Sequence, residues 1–239
     1  MRYITIFPAL FLLFTAASGQ IRQKSEQDTA ARPLRIVVIG SSTAAGTGAN
    51  PPDSAWVNRY RAFLKNINPA NEVINLAKGG YQTYHLMPSR YRPPAARPRP
   101  DTLRNITKAL SLHPDAVIVN LPSNDAAAGY QAAEQLANFD TIAQFAAKSG
   151  VPLWVCTPQP RNFSANKILT QLIVRNAILT RYGNWSIDFW GDMAAPNGLI
   201  DMSYNSGDGI HVNNAGHRKL FEQVRKKNIP GELIRLRRH

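Results

Sequence analysis

The segment that most constrains this chain is Leu34 to Gly48, LRIVVIGSSTAAGTG. Leu34, Ile36, Val37, Val38 and Ile39 are five apolar residues in six, a run too short for a helix and rich in β-branched side chains. It reads as a buried strand that stops at Gly40. In an open parallel sheet, ligands bind beyond the carboxyl ends of the strands, where backbone N–H groups and small side chains face a crevice. Ser41, Ser42 and Thr43 are delivered to such a place. Three known glycine turns fail here. A dinucleotide fingerprint is excluded because Pro51 stands where a third glycine belongs, and the second strand, near Val73 to Leu76, ends without an acidic residue. A P-loop is excluded because no Lys-Ser or Lys-Thr follows a glycine loop. The α/β-hydrolase elbow needs glycine two residues before and two after its serine; Gly40 meets the first condition and Ala44 breaks the second. What remains is a serine lifted off the first strand, in need of partners.

Upstream of that strand, Met1-Arg2-Tyr3 carries one positive charge, Ile4 to Ala17 is an apolar run interrupted by Thr5, Pro8 and Thr15, and Ala17-Ser18-Gly19 offers small residues for cleavage. This pattern predicts a secretory signal peptide over residues 1–19, since a membrane anchor needs about 20 apolar residues. Residues 20–33 are polar and aperiodic and read as a flexible leader. The expectation is a secreted or periplasmic protein with no stable membrane insertion. Residues 34–239 suit one domain. Its only cysteine, Cys156, lies in the apolar run Val151 to Cys156 and is expected in the core, so no intrachain disulfide is possible and packing alone must hold the fold. The net charge is +13, with arginines clustered from Arg90 to Arg104 and basic residues again from Lys219 to Arg238. A basic surface attracts polyanions. No nucleic-acid motif is present, so nucleic acid is not an expected partner; a solvated basic face is the plain reading and an acidic polysaccharide the specific one.

Helical and strand patterns alternate down the rest of the chain, which predicts an α/β sandwich around a mainly parallel sheet. Trp56, Val57, Tyr60, Phe63, Leu64 and Ile67 recur at three-and-four spacing within Ser54 to Ile67, an amphipathic helix with Asp53 or Ser54 as its cap. Strands are expected at Glu72–Ala77, Asp115–Leu121, Val151–Thr157 and Trp185–Phe189, making five with the first. Helices are expected at Thr102–Leu112, Tyr130–Ser149, Ser164–Tyr182 and, last, Asn213–Lys227. Arg90 to Pro100 is too proline-rich for either and reads as an extended loop.

Four short segments fall in turns beside predicted strand or helix ends: Gly40-Ser41-Ser42, Asn75 through Gly80, Pro122-Ser123-Asn124-Asp125, and Asp208-Gly209-Ile210-His211. Taken singly each has a duller use, as a turn, a positive-φ glycine, a helix cap or a surface histidine. Their order and spacing, from Ile36 to Leu220, resemble the SGNH (GDSL-type) hydrolase family, and DGIHVNNAGHRKL is the most specific block. The resemblance implies a three-layer α/β/α sandwich, flavodoxin-like, with a mainly parallel five-stranded sheet. It also implies a serine esterase needing neither metal nor cofactor, with Ser42 as nucleophile, His211 as base and Asp208 as the acid that orients the ring. The oxyanion donors it implies are the backbone N–H of Ser42, the backbone N–H of Gly80 and the side-chain amide of Asn124.

The chemistry explains these residue types. A serine hydroxyl is a weak nucleophile until an imidazole takes its proton, and the imidazolium needs a carboxylate to hold its tautomer. Donors fixed in advance stabilise the tetrahedral oxygen, and glycine at 80 lets that oxygen approach the main chain. Two residues depart from the family pattern: Ser41 stands where aspartate is usual, and Pro122 where glycine is usual. Asp188, Asp192 and Asp201 are alternative acids without the short offset from a histidine, and His85, His113, His217 and His239 show no metal-binding spacing. The expected substrate is a small-molecule or glycan ester with a short acyl group, acetyl first. Rival readings are an acyltransferase on glycans and a non-catalytic glycan-binding module on the same fold.

Overall fold

The computed structural model describes residues 32–121 and 123–237. The expected signal peptide, the leader as far as residue 31, and Pro122 lie outside the described residues. Five strands, β1 (Arg35–Gly40), β2 (Glu72–Asn75), β3 (Ala116–Asn120), β4 (Leu153–Cys156) and β5 (Ser186–Ile187), form one sheet in the order β2-β1-β3-β4-β5. Every neighbouring pair is parallel. Side chains of a strand alternate between faces, and both faces of this sheet are covered. Ile36, Val38 and Ile118 pack with Trp56, Tyr60 and Leu64 of α2 (Trp56–Ile67), Leu220 and Val224 of α8 (Asn214–Lys226), and Leu233 of α9 (Ile229–Arg237). Val37, Ile39, Val117 and Val119 pack with Ile106 of α4 (Ile106–Ser111), Phe139 and Ile142 of α6 (Ala132–Lys148), and Val174 and Ile178 of α7 (Ala165–Tyr182). Cys156 is buried in the first of these cores, and burial pushes its thiol pKa well up.

The five strands and the parallel three-layer arrangement match the expectation from sequence; the element ends differ for local reasons. α2 begins at Trp56 with Ala55 in the cap position, and neither Asp53 nor Ser54 caps it. Pro52–Ser54 forms a separate 3-10 turn, and the Trp56 N–H donates instead to His217 Nδ1 at 3.3 Å. β5 stops at Ile187 because side chains take over the next backbone donors: Thr157 Oγ1 accepts from Phe189 N at 2.8 Å and Asp188 Oδ1 from Trp190 N at 3.0 Å. α4 starts only at Ile106, where the Asn105 side chain accepts from Lys108 N. Asn213 does cap α8, accepting from Ala215 N and Gly216 N.

Four helices escape the sequence pattern. α1 (Ser42–Ala45), α3 (Thr83–Leu86) and α5 (Asn124–Ala127) are single turns too short for a period to register. α9 follows α8 after a break at Asn228, whose φ is 45°; Pro230 in its first turn is tolerated there, and Ile229 and Leu233 bury its inner face.

In this strand order the chain leaves β1 toward β2 on one side and β3 on the other, so a crevice opens beyond their carboxyl ends. The β1–β3 register runs to Gly40 opposite Asn120. A Cβ on Gly40 would lie 2.2 Å from Asn120 O, so only glycine lets the two backbones close up at the mouth of the crevice. β3 is the middle strand of the sheet, and Ile118 is fully buried on it. Ile118→Ala should therefore cost about 2–5 kcal/mol, read as a lowered midpoint in urea unfolding.

Candidate active site

Ser42 opens α1 directly off β1, with Ser41 N donating to Asn120 O at 3.0 Å and Thr47 N to Ser42 O at 3.0 Å. The loop Asp208 to His211 lies just ahead of α8. Ser42 Oγ is 2.9 Å from His211 Nε2, and His211 Nδ1 is 2.6 Å from Asp208 Oδ2. The other Asp208 oxygen accepts from Ile210 N and His211 N, each at 2.8 Å, and from Ser206 Oγ at 3.1 Å. Burial works to raise the Asp208 pKa, but the N–H of His211, its ring and the N–H of Ile210 outweigh it and hold the carboxyl well below the usual range. An ionised carboxylate only accepts hydrogen bonds, so the proton between the two groups sits on Nδ1. Nε2 is then the acceptor that faces the Ser42 hydroxyl.

Residues 42 and 211 are brought together by contacts between segments remote in sequence. Gly48, with φ of +93°, would place a Cβ 2.2 Å from Val212 O and 3.4 Å from His211 Cβ, so the loop after α1 lies against the backbone of Val212, next to His211. His217 Nε2 is 3.1 Å from Thr47 O, while its Nδ1 accepts from Trp56 N. Nε2 therefore carries the proton, and one buried imidazole ties the loop after α1, the start of α2 and α8 together. The segment after β4 straps the acid–base loop from the other side. Gln159 Nε2 donates to Ile210 O at 3.1 Å and Asn162 N to Gly209 O at 2.8 Å.

The third wall comes from the turns after β2 and β3. Gly79 lies against Ser42, a Cβ there falling 3.9 Å from Ser42 Cβ. Gly80 has φ of +83°, and its N–H donates to no acceptor among the described residues. Asn124 Nδ2 donates to Ser41 Oγ at 2.7 Å and to Tyr81 O at 2.9 Å. Both amide hydrogens are thus spent in this state, one on the uncharged Ser41 hydroxyl and the other on the Tyr81 carbonyl. Beneath them Asp125 is buried and accepts from Thr83 N at 3.1 Å and from Thr83 Oγ1, which in turn accepts from Asn138 Nδ2 at 2.8 Å. Burial drives the Asp125 pKa up to about 6 against those hydrogen bonds.

The structure therefore brings Ser42, His211 and Asp208 into one hydrogen-bonded line, with Gly80 and Asn124 on its flank. The alternative acids lie elsewhere: Asp188 pairs with Arg175, Asp192 lies 3.9 Å from Lys219, and Asp201 accepts from Ser203 N. Among the described residues no group of three or more His, Cys, Asp or Glu side chains could hold a metal ion, and no helix is long and apolar enough to cross a membrane. Gly48, His217, Asp125, Gln159 and Asn162 are supports that sequence reasoning did not reach. The only signal for any of them was the position of Asp125 beside Asn124 and of His217 within the specific last block.

Comparison with known proteins identifies the family and the fold. The model of the GDSL-like lipase/acylhydrolase family matches residues 38–219. None of the curated proteins matches the chain. Among solved structures, the lipase/acylhydrolase from Enterococcus faecalis superposes with a TM-score of 0.63 at 19% identity, covering 83% of this chain and 96% of that one. A GDSL-like lipase from Bacteroides thetaiotaomicron VPI-5482 gives 0.59 at 16% identity, covering 85% and 95%. A two-domain esterase active on acetylated mannans gives 0.58 at 13% identity, covering 90% of this chain and 53% of that one. At these identities the superpositions speak for the fold.

The clamp at His217 has a pH signature. Burial lowers its pKa to about 4, whereas an exposed histidine titrates near 6.5. Because the folded value is the depressed one, the unfolded chain takes up a proton first. The stabilisation is therefore complete above pH about 6.5 and is lost as pH falls toward about 4. Urea unfolding measured from pH 7 to 4 should show a steeper loss of stability for wild type than for His217→Gln, which has no proton to gain.

Proposed function

Since the chain belongs to the GDSL-like lipase/acylhydrolase family and is an ester hydrolase, we propose that it is an exported serine esterase that removes short acyl groups, acetyl first, from carbohydrate hydroxyls. The observation that carries this reading is the continuous line from Ser42 Oγ through His211 to Asp208, with spacings of 2.9 and 2.6 Å. A binding module without catalysis has no use for such a line.

In the proposed reaction Ser42 Oγ attacks the ester carbonyl carbon as its proton passes to His211 Nε2. The carbonyl oxygen becomes an oxyanion between the backbone N–H groups of Ser42 and Gly80, donors already fixed before the substrate arrives. Asn124 joins them by giving up one of its two present acceptors. Asp208 stabilises the imidazolium, which then hands its proton to the departing alkoxide. That leaves an acyl-serine. Water, deprotonated by the same imidazole, attacks the acyl carbon, and collapse of the second oxyanion returns the Ser42 hydroxyl and releases the carboxylic acid.

Two observations support the finer parts of the reading. The activity of the structurally similar two-domain esterase on acetylated mannans favours acetyl on sugar hydroxyls. The charged start, apolar run and small residues of 1–19 favour export.

Hydrolysis of p-nitrophenyl acetate tests the assignment. Ser42→Ala should lower kcat by about a thousandfold or more, and a variant that keeps the wild-type rate removes the reading. Asp208→Asn should lower kcat by about a hundredfold or more with the fold intact by circular dichroism. Asp192→Asn, in the turn after β5 that faces Lys219 of α8, should leave the rate within about twofold of wild type. Acetate release from a panel of acylated glycans and short-chain lipids, followed with and without an acceptor glycan, identifies the alcohol half and separates transfer to water from transfer to sugar.

A further inference from the structure

Between β4 and α7 the chain runs Pro158-Gln159-Pro160-Arg161-Asn162-Phe163. Gln159 and Asn162 are tied to the carbonyls of Ile210 and Gly209, so Arg161 between them is held beside the acid–base loop. Its Nη1 reaches across to Ser123 Oγ at 3.3 Å, one residue before Asn124. The guanidinium lies 4.6 Å from the centre of the Phe163 ring, and Lys167 Nζ lies 5.5 Å from the same centre while donating to Ala127 O at 2.9 Å. Two cations thus lie within 5.5 Å of the centre of one aromatic ring, between segments bonded to the Asp208–His211 loop and to the Ser123–Ala127 turn.

Resting on the esterase reading above, we propose that Arg161 and Lys167 form an anion-binding face that takes a carboxylate carried on the alcohol half of the ester. The substrate class is then an acylated acidic sugar, of the uronic acid kind.

Neither side chain has a carboxylate at ion-pair distance among the described residues; their polar partners are Ser123 Oγ and Ala127 O. Arg97 and Arg175 are also half-buried, and each is held by two bonds to one carboxylate, Glu134 at 2.5 and 2.9 Å and Asp188 at 3.0 and 2.6 Å. Arg161 has no carboxylate at ion-pair distance among the described residues, and its one side-chain hydrogen bond is long. Burial lowers its pKa, with only Asp208 pulling the other way, and the Asp208 oxygens are already taken by His211, Ile210 and Ser206. Lys167 stands in the first turn of an 18-residue helix that has no acidic residue there, the end of the macrodipole that favours anions. A bound anion relieves both placements, and the planar fork of arginine fits a carboxylate best. The alcohol half is the one that can carry the charge, because the acyl group of the esterase reading is a short acyl such as acetyl and bears no carboxylate. The net charge of +13 draws such a substrate in.

The test uses an O-acetylated oligouronate and its carboxyl-reduced, neutral twin, with p-nitrophenyl acetate as a separate measure of the esterase. For the wild-type chain at low salt, kcat/KM should favour the charged twin by about tenfold or more, and added salt should narrow the gap. Arg161→Gln and Lys167→Gln should each reduce that ratio, the double variant should bring it to about one, and Arg161→Lys should keep part of it. Equal turnover of the twins overturns the proposal, as does turnover of p-nitrophenyl acetate with neither twin cleaved. So does a variant that slows both twins by the same factor, since Arg161 would then merely hold Ser123. If the wild type fails on p-nitrophenyl acetate and every other ester, the esterase reading falls instead.

Discussion

The site depends on one close approach, Gly40 against Asn120 at the carboxyl ends of β1 and β3. The two strands pair in register to that point, and the missing Cβ lets the last residues touch. Whatever each chain segment carries next must then share one crevice. β1 carries Ser41 and Ser42, and β3 leads to Asn124, so Asn124 Nδ2 lies 2.7 Å from Ser41 Oγ although the residues are 83 positions apart. Backbone geometry supplies the meeting; the side chains only exploit it.

A second constraint brings in the base. His211 is not on a strand, and nothing in the sheet fixes it. It is held instead by Gly48 against the carbonyl of the next residue, Val212, and by His217 bonded to both Thr47 and Trp56. With the proton on Nδ1 the ring is neutral, so the Asp208–His211 contact is a hydrogen bond and not an ion pair, made where the Asp208 side chain is 45% exposed and the His211 side chain 18%. Its value is orientational. Three donors besides the ring fix the Asp208 carboxylate, and the ring follows the carboxylate.

Much of this was legible in the sequence because it was written in local patterns. Five apolar strands separated by amphipathic helices give the sheet, and the block DGIHVNN places an acid three residues before a histidine at the mouth of a helix. The cap of α2 was not legible, because its N–H partner is His217, 161 residues away. Nor was the role of Gly48, which combines a φ of +93° with a close approach to Val212 O, a partner far away in sequence. α9 was missed because the expected last helix ended at Lys227 and the basic tail hid the short Ile229 and Leu233 spacing that buries it. Local chemistry announces elements and motifs; it is silent about contacts that close only in three dimensions.

Ser41 shows how a departure from a family pattern can be read physically. Asn124 has two amide hydrogens, one on Tyr81 O and one on Ser41 Oγ. If an oxyanion is to recruit this amide, one bond must be surrendered at that moment. A carboxylate at position 41 would grip the hydrogen through a charge-assisted bond, roughly twice as strong as a neutral one, and would set a negative charge beside the developing oxyanion. A hydroxyl does neither, and it can rotate to donate elsewhere once released. With Ser41 fully buried, the low dielectric magnifies that difference. The serine therefore holds Asn124 in place through a neutral bond, one that the amide can exchange at lower cost than a bond to a carboxylate.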